Sequence, residues 1–262
     1  SQQNRIFRYN ILGELRTTGS DCGEFNIDGD LALSIPIKRD SLQFVVNGFV
    51  RNERPSFYYR HYIGRNAMWN NEHLNKMFHA RINASLQYKA TKLTASIENI
   101  QNYVYFQEQL TAYAGTDGYE NFRHAIGVAQ ANKNVQLLGI TLNQDFHWGV
   151  FNWENELTYQ VSSNKDVLPV PTFSAYSNAY LLFRIAKVLR TELGVDVRYF
   201  TRYNAPTYSP IIGQYAIQDA QYATSIGNYP IINAYANFHL KRTRFYLMAS
   251  HLNYSSGTGN PF

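Results

Sequence analysis

The sequence has little charge, one cysteine and no long apolar run, and each of these shortages excludes a class of protein. Charged residues make up 16% of the 262 residues, against roughly 25% in typical soluble domains. Cys22 is the single cysteine, so an intrachain disulfide is excluded. No apolar run approaches the ~18 residues that a transmembrane helix needs. No GxSxG, HExxH, P-loop or EF-hand spacing occurs, so we predict no enzyme activity, no metal site and no cofactor.

Basic residues outnumber acidic ones, but they do not form the clusters that nucleic-acid binding requires. The formal net charge is +5, from 24 Lys and Arg against 19 Asp and Glu. These cations are scattered, often two residues from an acid, as between Arg190 and Arg198. A nucleic-acid site usually combines a basic stripe with recognition elements such as exposed aromatics. We therefore predict no nucleic-acid partner.

Tyrosine and phenylalanine are abundant, and they follow an alternating pattern. The chain has 21 Tyr and 16 Phe. From Phe78 to Tyr88 every second residue is apolar and those between are polar. Side chains of a strand alternate between two faces, so this period predicts a strand with one apolar and one polar face rather than a helix. The pattern predicts eleven long strands, at 6–17, 25–38, 41–51, 77–89, 92–106, 134–148, 151–162, 172–186, 190–203, 230–241 and 244–254.

Four tight hairpins are predicted because apolar residues meet apolar ones when the chain is folded there. The predicted turns are at residues 39–40, 90–91, 149–150 and 242–243. A slip of one residue would oppose apolar to polar side chains, so the pattern specifies the faces. Representative pairs, one from each hairpin, are Leu33–Val46, Leu86–Ala95, Phe146–Trp153 and Phe238–Leu247.

Short turns alternate with long polar connections along the chain. The long connections are 52–76, 107–133, 163–171 and 204–229. Tight turns at one rim and long loops at the other are the plan of an outer-membrane β-barrel. The predicted fold is therefore all-β, an antiparallel up-and-down transmembrane β-barrel of which about eleven strands are visible.

The pattern alone leaves two readings open, because a soluble β-sandwich turns its apolar face inward and a membrane barrel turns it outward. The strands reach or exceed the 9–11 residues that cross a bilayer. Aromatic residues such as Trp148 and Trp153 lie near the ends of the apolar stripes, where membrane barrels carry aromatic girdles. Many apolar-face residues are alanine, which would fill a sandwich core poorly. These features favour the membrane barrel.

Eleven strands are an odd number, whereas bacterial single-chain barrels have an even one. Residues 255–262 read as the start of another loop and not as a closing strand. We therefore expect residues 1–262 to form a single β-barrel domain that is an incomplete portion of a larger barrel.

Three segments resemble the outer-membrane porin family of the Bacteroidota. They are NERPSFYYRHYIGRNAMWNN at 52–71, IENIQNYVYFQ at 97–107 and FHWGVFNWENELTYQ at 146–160. The resemblance spans most of the chain and matches the C-terminal half of such proteins, which are much longer. It implies an outer-membrane β-barrel in a Gram-negative bacterium, and it supplies no catalytic residue.

The two faces of the predicted strands give two sets of candidate residues. The predicted pore-lining residues are polar or charged: Arg81, Asn83, Glu98, Asn143, Asp145, Glu154, Glu156, Arg184, Glu192, Asp196, Arg198, Asn233, Tyr235 and Asn237. The predicted lipid-facing residues are apolar: Ala84, Leu86, Ile97, Leu142, Leu157, Leu193, Val195, Ala236, Phe238 and Leu247. The pore-lining set has mixed charge, so we expect little ion preference, although its members could equally pair with each other and close the lumen.

Three further predictions concern individual side chains and one aromatic loop. Asp145 falls opposite Glu154, and a neighbouring arginine such as Arg184 is expected to offset the repulsion. His147 shares a face with Asp145, which leaves a barrel-embedded hydrolase as a third-ranked alternative. An aromatic loop suggests either a sugar- or partner-binding surface or ordinary loop packing, and contains Phe57, Tyr58, Tyr59, His61, Tyr62 and Trp69.

The first-ranked function is a multi-pass outer-membrane channel for passive diffusion of small polar solutes or ions. Its selectivity would come from the width and charge of the pore. The second is an occluded structural barrel that serves as a partner in a secretion or uptake complex. The expected partners are outer-membrane lipid and, for the second function, other outer-membrane proteins.

Overall fold

A computed structural model describes residues 2–3, 6–114 and 120–256 of the protein. In chain order its elements are β1 (Gln2–Gln3), β2 (Phe7–Leu15), β3 (Phe25–Ile37), β4 (Asp40–Glu53), α1 (Phe57–Arg60), β5 (His61–Ile63), β6 (Met68–Asn70), β7 (Met77–Tyr88), β8 (Thr91–Gln101), β9 (Val104–Ala114), β10 (Glu120–Gln130), β11 (Val135–Trp148), β12 (Phe151–Ser162), β13 (Phe173–Ile185), β14 (Leu189–Phe200), β15 (Thr207–Ser209), β16 (Gln214–Ala216), β17 (Ile231–Leu240), β18 (Thr243–Ala249) and a 3₁₀ turn at Tyr254–Ser256.

One large antiparallel sheet contains all eleven predicted strands. Its order is β1-β2-β3-β4-β7-β8-β11-β12-β13-β14-β17-β18, so each strand lies beside the next one that the chain contributes to the sheet. This up-and-down order confirms the predicted all-β architecture. Within the described ranges β1 and β18 are the two ends of the order, so the sheet is open there.

The register of the Gly149 hairpin is as predicted, and three other predicted registers are wrong by two residues. Phe146 pairs with Trp153. Leu86 pairs with Leu93 and not with Ala95. The corresponding observed pairs at the other two turns are Leu33–Phe44 and Phe238–Phe245. A shift of two residues keeps every side chain on its predicted face, because faces alternate with a period of two.

The shift arises because three tight turns begin one residue earlier than predicted. Their first loop residues are Lys38, Lys89 and Lys241, with φ of 55°, 53° and 51°. Gly149 has the same role in the fourth hairpin, with φ of 61°. Tight hairpins need a left-handed residue to match the twist of the two strands. Glycine marks that position in a sequence and lysine does not.

The predicted strand 92–106 is wrong at its end, and the predicted connection 107–133 contains a hairpin. β8 ends at Gln101, and Asn102 has φ of 56°, a left-handed conformation that Asn tolerates better than most residues. β9 and β10 then pair with each other in a separate two-stranded sheet. The connections 52–76 and 204–229 also contain short hairpins, β5–β6 and β15–β16.

Burial across the large sheet is reversed relative to a soluble protein. On the apolar face Ile82, Ile97 and Leu247 are 61%, 62% and 67% exposed. On the polar face Asp196 and Asn233 are both 6% exposed. Of the two described apolar cores, one lies among the long connections around Trp69, and the other lies around Val135, where connections pack on the loop end of the polar face. The large sheet therefore does not pack its apolar face into a sandwich core.

Candidate functional site

The pairing register divides the predicted site residues between two faces without exception. Opposed residues in neighbouring strands lie on the same face, so the register can be followed across the sheet. The predicted pore-lining residues all lie on the polar face: Arg81, Asn83, Glu98, Asn143, Asp145, Glu154, Glu156, Arg184, Glu192, Asp196, Arg198, Asn233, Tyr235 and Asn237. The predicted lipid-facing residues all lie on the other: Ala84, Leu86, Ile97, Leu142, Leu157, Leu193, Val195, Ala236, Phe238 and Leu247. That these faces meet water and lipid stays a prediction.

The polar face of β3, β4, β7 and β8 carries a charge-balanced network. Glu98 is contacted by Arg81, with Nε 3.1 Å from Oε1, and by His79, with Nε2 3.1 Å from Oε2. Arg51 donates from Nη2 to Asp28 Oδ1 at 3.1 Å. Because each arginine here faces a carboxylate, this part of the face has little net charge.

A second network links β13, β14 and β17. Asn233 donates from Nδ2 to Asp196 Oδ1 at 2.9 Å, and both residues are buried. Tyr235 donates from Oη to Asn178 Oδ1 at 3.0 Å, and Asn178 is 8% exposed. Buried polar groups cost free energy unless they are hydrogen-bonded, so these bonds fix the arrangement of the three strands.

The predicted contact between Asp145 and Glu154 is correct, but the predicted arginine partner is wrong. Asp145 pairs with Glu154 in the ladder. Glu154 accepts a hydrogen bond from Tyr180 Oη at 2.8 Å. The ladder partner of Glu154 in β13 is Asn178. Arg184 lies six residues further along β13, near the next turn, and therefore does not lie beside Glu154. Glu154 is thus hydrogen-bonded to a neutral phenol and not paired with a cation.

The proposed acid–base pair of a hydrolase does not form in this structure. His147 lies 2.6 Å from Asn152, measured from Nδ1 to Oδ1. Asp145, on the same face, is opposite Glu154. His147 is thus paired with a neutral amide across its own hairpin.

Four aromatic rings form a stack on the apolar face beside the Gly149 turn. Ring centroids of Phe146 and Trp148 are 5.2 Å apart, those of Phe146 and Trp153 5.3 Å, and those of Trp148 and Phe151 5.9 Å. Trp153 also donates from Nε1 to a serine hydroxyl at 2.8 Å. Amphipathic aromatic rings at one level of a barrel strand are typical of the membrane–water interface.

At the opposite end the long connections fold over the polar face. Ile100 and Val135 oppose each other on that face and are 6% and 0% exposed. They pack with Val167 from the β12–β13 connection and with Ala131 after β10. The polar face is therefore covered at its loop end by apolar packing.

A second apolar cluster joins three of these connections and explains the aromatic loop. Trp69, Phe106 and Ile212 are buried together, and Tyr58 donates from Oη to the Ile212 carbonyl at 2.6 Å. Burial raises the pKa of the Tyr59 phenol, which packs on this cluster. Most of the loop aromatics thus serve loop packing.

Charged groups in the connections make local contacts. A hydrogen bond from His61 lowers the pKa of Glu72.

Among the described residues no cluster of His, Cys, Asp or Glu has the arrangement of a metal site. None of the described helices has both the length and the apolar character to cross a membrane.

Sequence reasoning missed a basic group at the short-turn end of the polar face, formed by Arg190, His239 and Arg244 beside Arg184. Arg184 and Arg190 pair in one hairpin and His239 and Arg244 in another, and the two pairs become neighbours only when β14 pairs with β17. The connection 204–229 separates these strands in sequence, so no local pattern shows the pairing.

The up-and-down sheet, its exposed apolar face and its hydrogen-bonded polar face are typical of outer-membrane β-barrel proteins. The chain belongs to the family described as "Putative porin", whose model matches residues 1–262. Neither the bacterial phylum nor the position of the chain in a longer protein follows from that match, so both stay predictions, as does the single domain.

A solved structure has a similar fold. It is the siderophore receptor PirA from Acinetobacter baumannii, with a TM-score of 0.50, 12% identity and 89% of this chain covered. The chain spans 37% of the length of that receptor. At this identity the likeness concerns the fold alone. A comparison with curated proteins found no match.

Proposed function

We propose that this protein is a passive channel of the outer membrane for small polar solutes or ions. The observation that carries the proposal is the reversed polarity of the sheet, with exposed Ile82 and Ile97 on one face and buried Asp196 and Asn233 on the other. A closed barrel with this polarity turns its hydrogen-bonding groups toward an aqueous interior and its apolar groups toward lipid. The proposal includes no catalytic step.

Selectivity in this proposal depends on the charges of the polar face. Glu156 and Glu192 lie on that face in β12 and β14. Within the described residues neither is in an ion pair with a basic side chain. Both carboxylates would therefore attract permeating cations and repel anions, because the charged side chains that line a pore set its ion preference.

The test is the reversal potential of the full-length protein in a planar bilayer under a salt gradient. Glu156→Lys with Glu192→Lys should move the reversal potential toward the anion value. The control, Asp21→Lys with Glu72→Lys, makes the same change of charge at one partly exposed and one exposed position outside the large sheet. Equal shifts in both variants, or no current from the unmodified protein, would contradict the proposal.

A second function, an occluded barrel that acts as a partner in a secretion or uptake complex, is favoured by the covered loop end. Ile100 and Val135 on the polar face are buried against connections. If this packing also persists in a membrane, the passage would be narrow or closed. Absence of conductance together with co-purification of another outer-membrane protein would support this alternative.

A further inference from the structure

Four basic side chains lie side by side at the short-turn end of the polar face. Arg184 is opposite Arg190, Arg190 is opposite His239, and His239 is opposite Arg244. Neighbouring strands are about 4.8 Å apart, so the row crosses four strands within about 14 Å. We call these four residues the basic row.

The basic row is not neutralised in the way that other arginines on this face are. Arg51 and Arg81 each contact a carboxylate at 3.1 Å. In the described part of the chain, none of the four row residues makes an ion pair or a side-chain hydrogen bond. Like charges directly opposite each other destabilise a sheet. The row therefore presents exposed donors that no described protein group occupies, and positive charge that no described carboxylate compensates.

A cavity of about 390 Å³ opens on the basic row. It is lined by Arg190, His239 and Arg244 of the row, and by Glu192, Asn237, Phe238, Phe245 and Tyr246. Glu192 is the single acid among these lining residues, and its Oε1 accepts a hydrogen bond from Asn237 Nδ2 at 3.4 Å. This volume lies in the range of small-molecule sites, which is about 300–1,000 Å³.

We propose that the basic row binds small solutes that carry two or more phosphate or carboxylate groups. A guanidinium group presents a planar fork of donors that matches the two oxygens of such a group. Guanidinium groups on successive strands can hold oxyanion groups a few ångströms apart, which a single chloride cannot exploit. The inference rests on the proposed function, because it names the solute class that the same polar face would admit.

The test measures binding and does not depend on conduction. Full-length protein in detergent micelles is titrated with sodium pyrophosphate or with sodium citrate, in sodium chloride at constant ionic strength. Calorimetry and the thermal unfolding midpoint are recorded. At least one of the two anions should bind and raise the midpoint, and the tighter of the two identifies phosphate or carboxylate as the preferred group.

Arg190→Gln with Arg244→Gln should weaken that binding at least tenfold. The matched control is Lys38→Gln with Arg39→Gln, which removes two cations from the same rim at the exposed β3–β4 turn. The affinity of the control variant for the anion should stay within twofold of that of the unmodified protein. Equal weakening in both variants would assign the effect to general rim charge and overturn the proposal, as would no binding of either anion to the unmodified protein.

Removal of opposed like charges should not impair folding, so the row variant should unfold at or above the midpoint of the unmodified protein when no anion is present. If the double variant nevertheless fails to fold, Arg190→Lys keeps the charge without the planar fork. It should weaken binding severalfold, and unchanged affinity would overturn the proposal. Anion binding without conductance would refute only the channel proposal. Conductance without anion binding would refute only the proposal that the basic row binds anions.

Discussion

Gly194 permits the most specific contact on the polar face, and its replacement by alanine tests that contact. Gly194 lies between Tyr180 and Tyr235 in the ladder. A Cβ at Gly194 would lie 2.5 Å from Tyr235 Oη and 2.7 Å from its Cε1. The tyrosine ring therefore lies directly over the glycine, and its hydroxyl reaches Asn178 at 3.0 Å. A side chain at position 194 would therefore either strain the ring in this place or displace it.

The expected cost of Gly194→Ala can be worked from these contacts. If the ring stays, the overpacking costs about 1–3 kcal/mol. If the ring leaves, Asn178 loses its donor, and an unsatisfied buried group costs about 1–3 kcal/mol. Alanine recovers about 0.5–1 kcal/mol of the backbone entropy that glycine loses on folding. We expect a net loss of about 1–2 kcal/mol in the free energy of unfolding.

Urea unfolding in lipid vesicles, followed by tryptophan fluorescence, measures this loss. Gly29→Ala is the control, because a Cβ at Gly29 in β3 meets nothing within 4 Å. Tyr235→Leu should remove most of the difference between glycine and alanine at position 194, because the ring is then absent. Equal stability of the Gly194→Ala and Gly29→Ala proteins would refute the reasoning.

Two further predictions concern the apolar face and the connections. Ala84→Arg should lower the unfolding free energy in a bilayer by about 2–4 kcal/mol because it places a charge in lipid, whereas Ser85→Arg on the polar face should cost much less; similar costs in vesicle unfolding would contradict the assignment of faces. The Leu110 amide, which donates to Asp219 Oδ2 at 2.9 Å, lowers the pKa of that carboxyl. Its stabilising effect is therefore present above the ordinary aspartate pKa and is lost as pH falls through the lowered one. Hydrogen exchange at Leu110, corrected for intrinsic rate, should lose protection in that acidic window, and Asp219→Asn should show reduced protection at neutral pH; pH-independent protection in both proteins would contradict this.

The strands and their faces follow from the sequence because alternation is a local property. A run such as Phe78 to Tyr88 records both the strand and its two faces in eleven consecutive residues. The turn positions are less visible. Gly149 has the left-handed conformation that a tight turn needs, and its register was predicted correctly. Lys38 and Lys89 adopt the same conformation without being the residue type that favours it, so the sequence pattern places those turns one residue late.

The polar networks could be predicted only in part, because they depend on pairs far apart in sequence. Asp145 and Glu154 belong to one hairpin, so the sequence predicts that they lie opposite each other. Arg190 and His239 are brought together across the connection 204–229. A pattern that gives the face of each residue does not give its neighbour on the next strand, and that neighbour decides whether a charge is compensated.

The central claim is that the polar face lines a water-filled passage and the apolar face does not. Ser96 and Ile97 are consecutive in β8 and lie on opposite faces. In a Cys22→Ser background, each is replaced by cysteine in the full-length protein, and a charged, water-soluble thiol reagent is added during planar-bilayer recording. The account predicts that the current changes for Ser96→Cys and stays constant for Ile97→Cys. A change for Ile97→Cys alone would contradict the assignment of faces, and no current from either protein would contradict the channel.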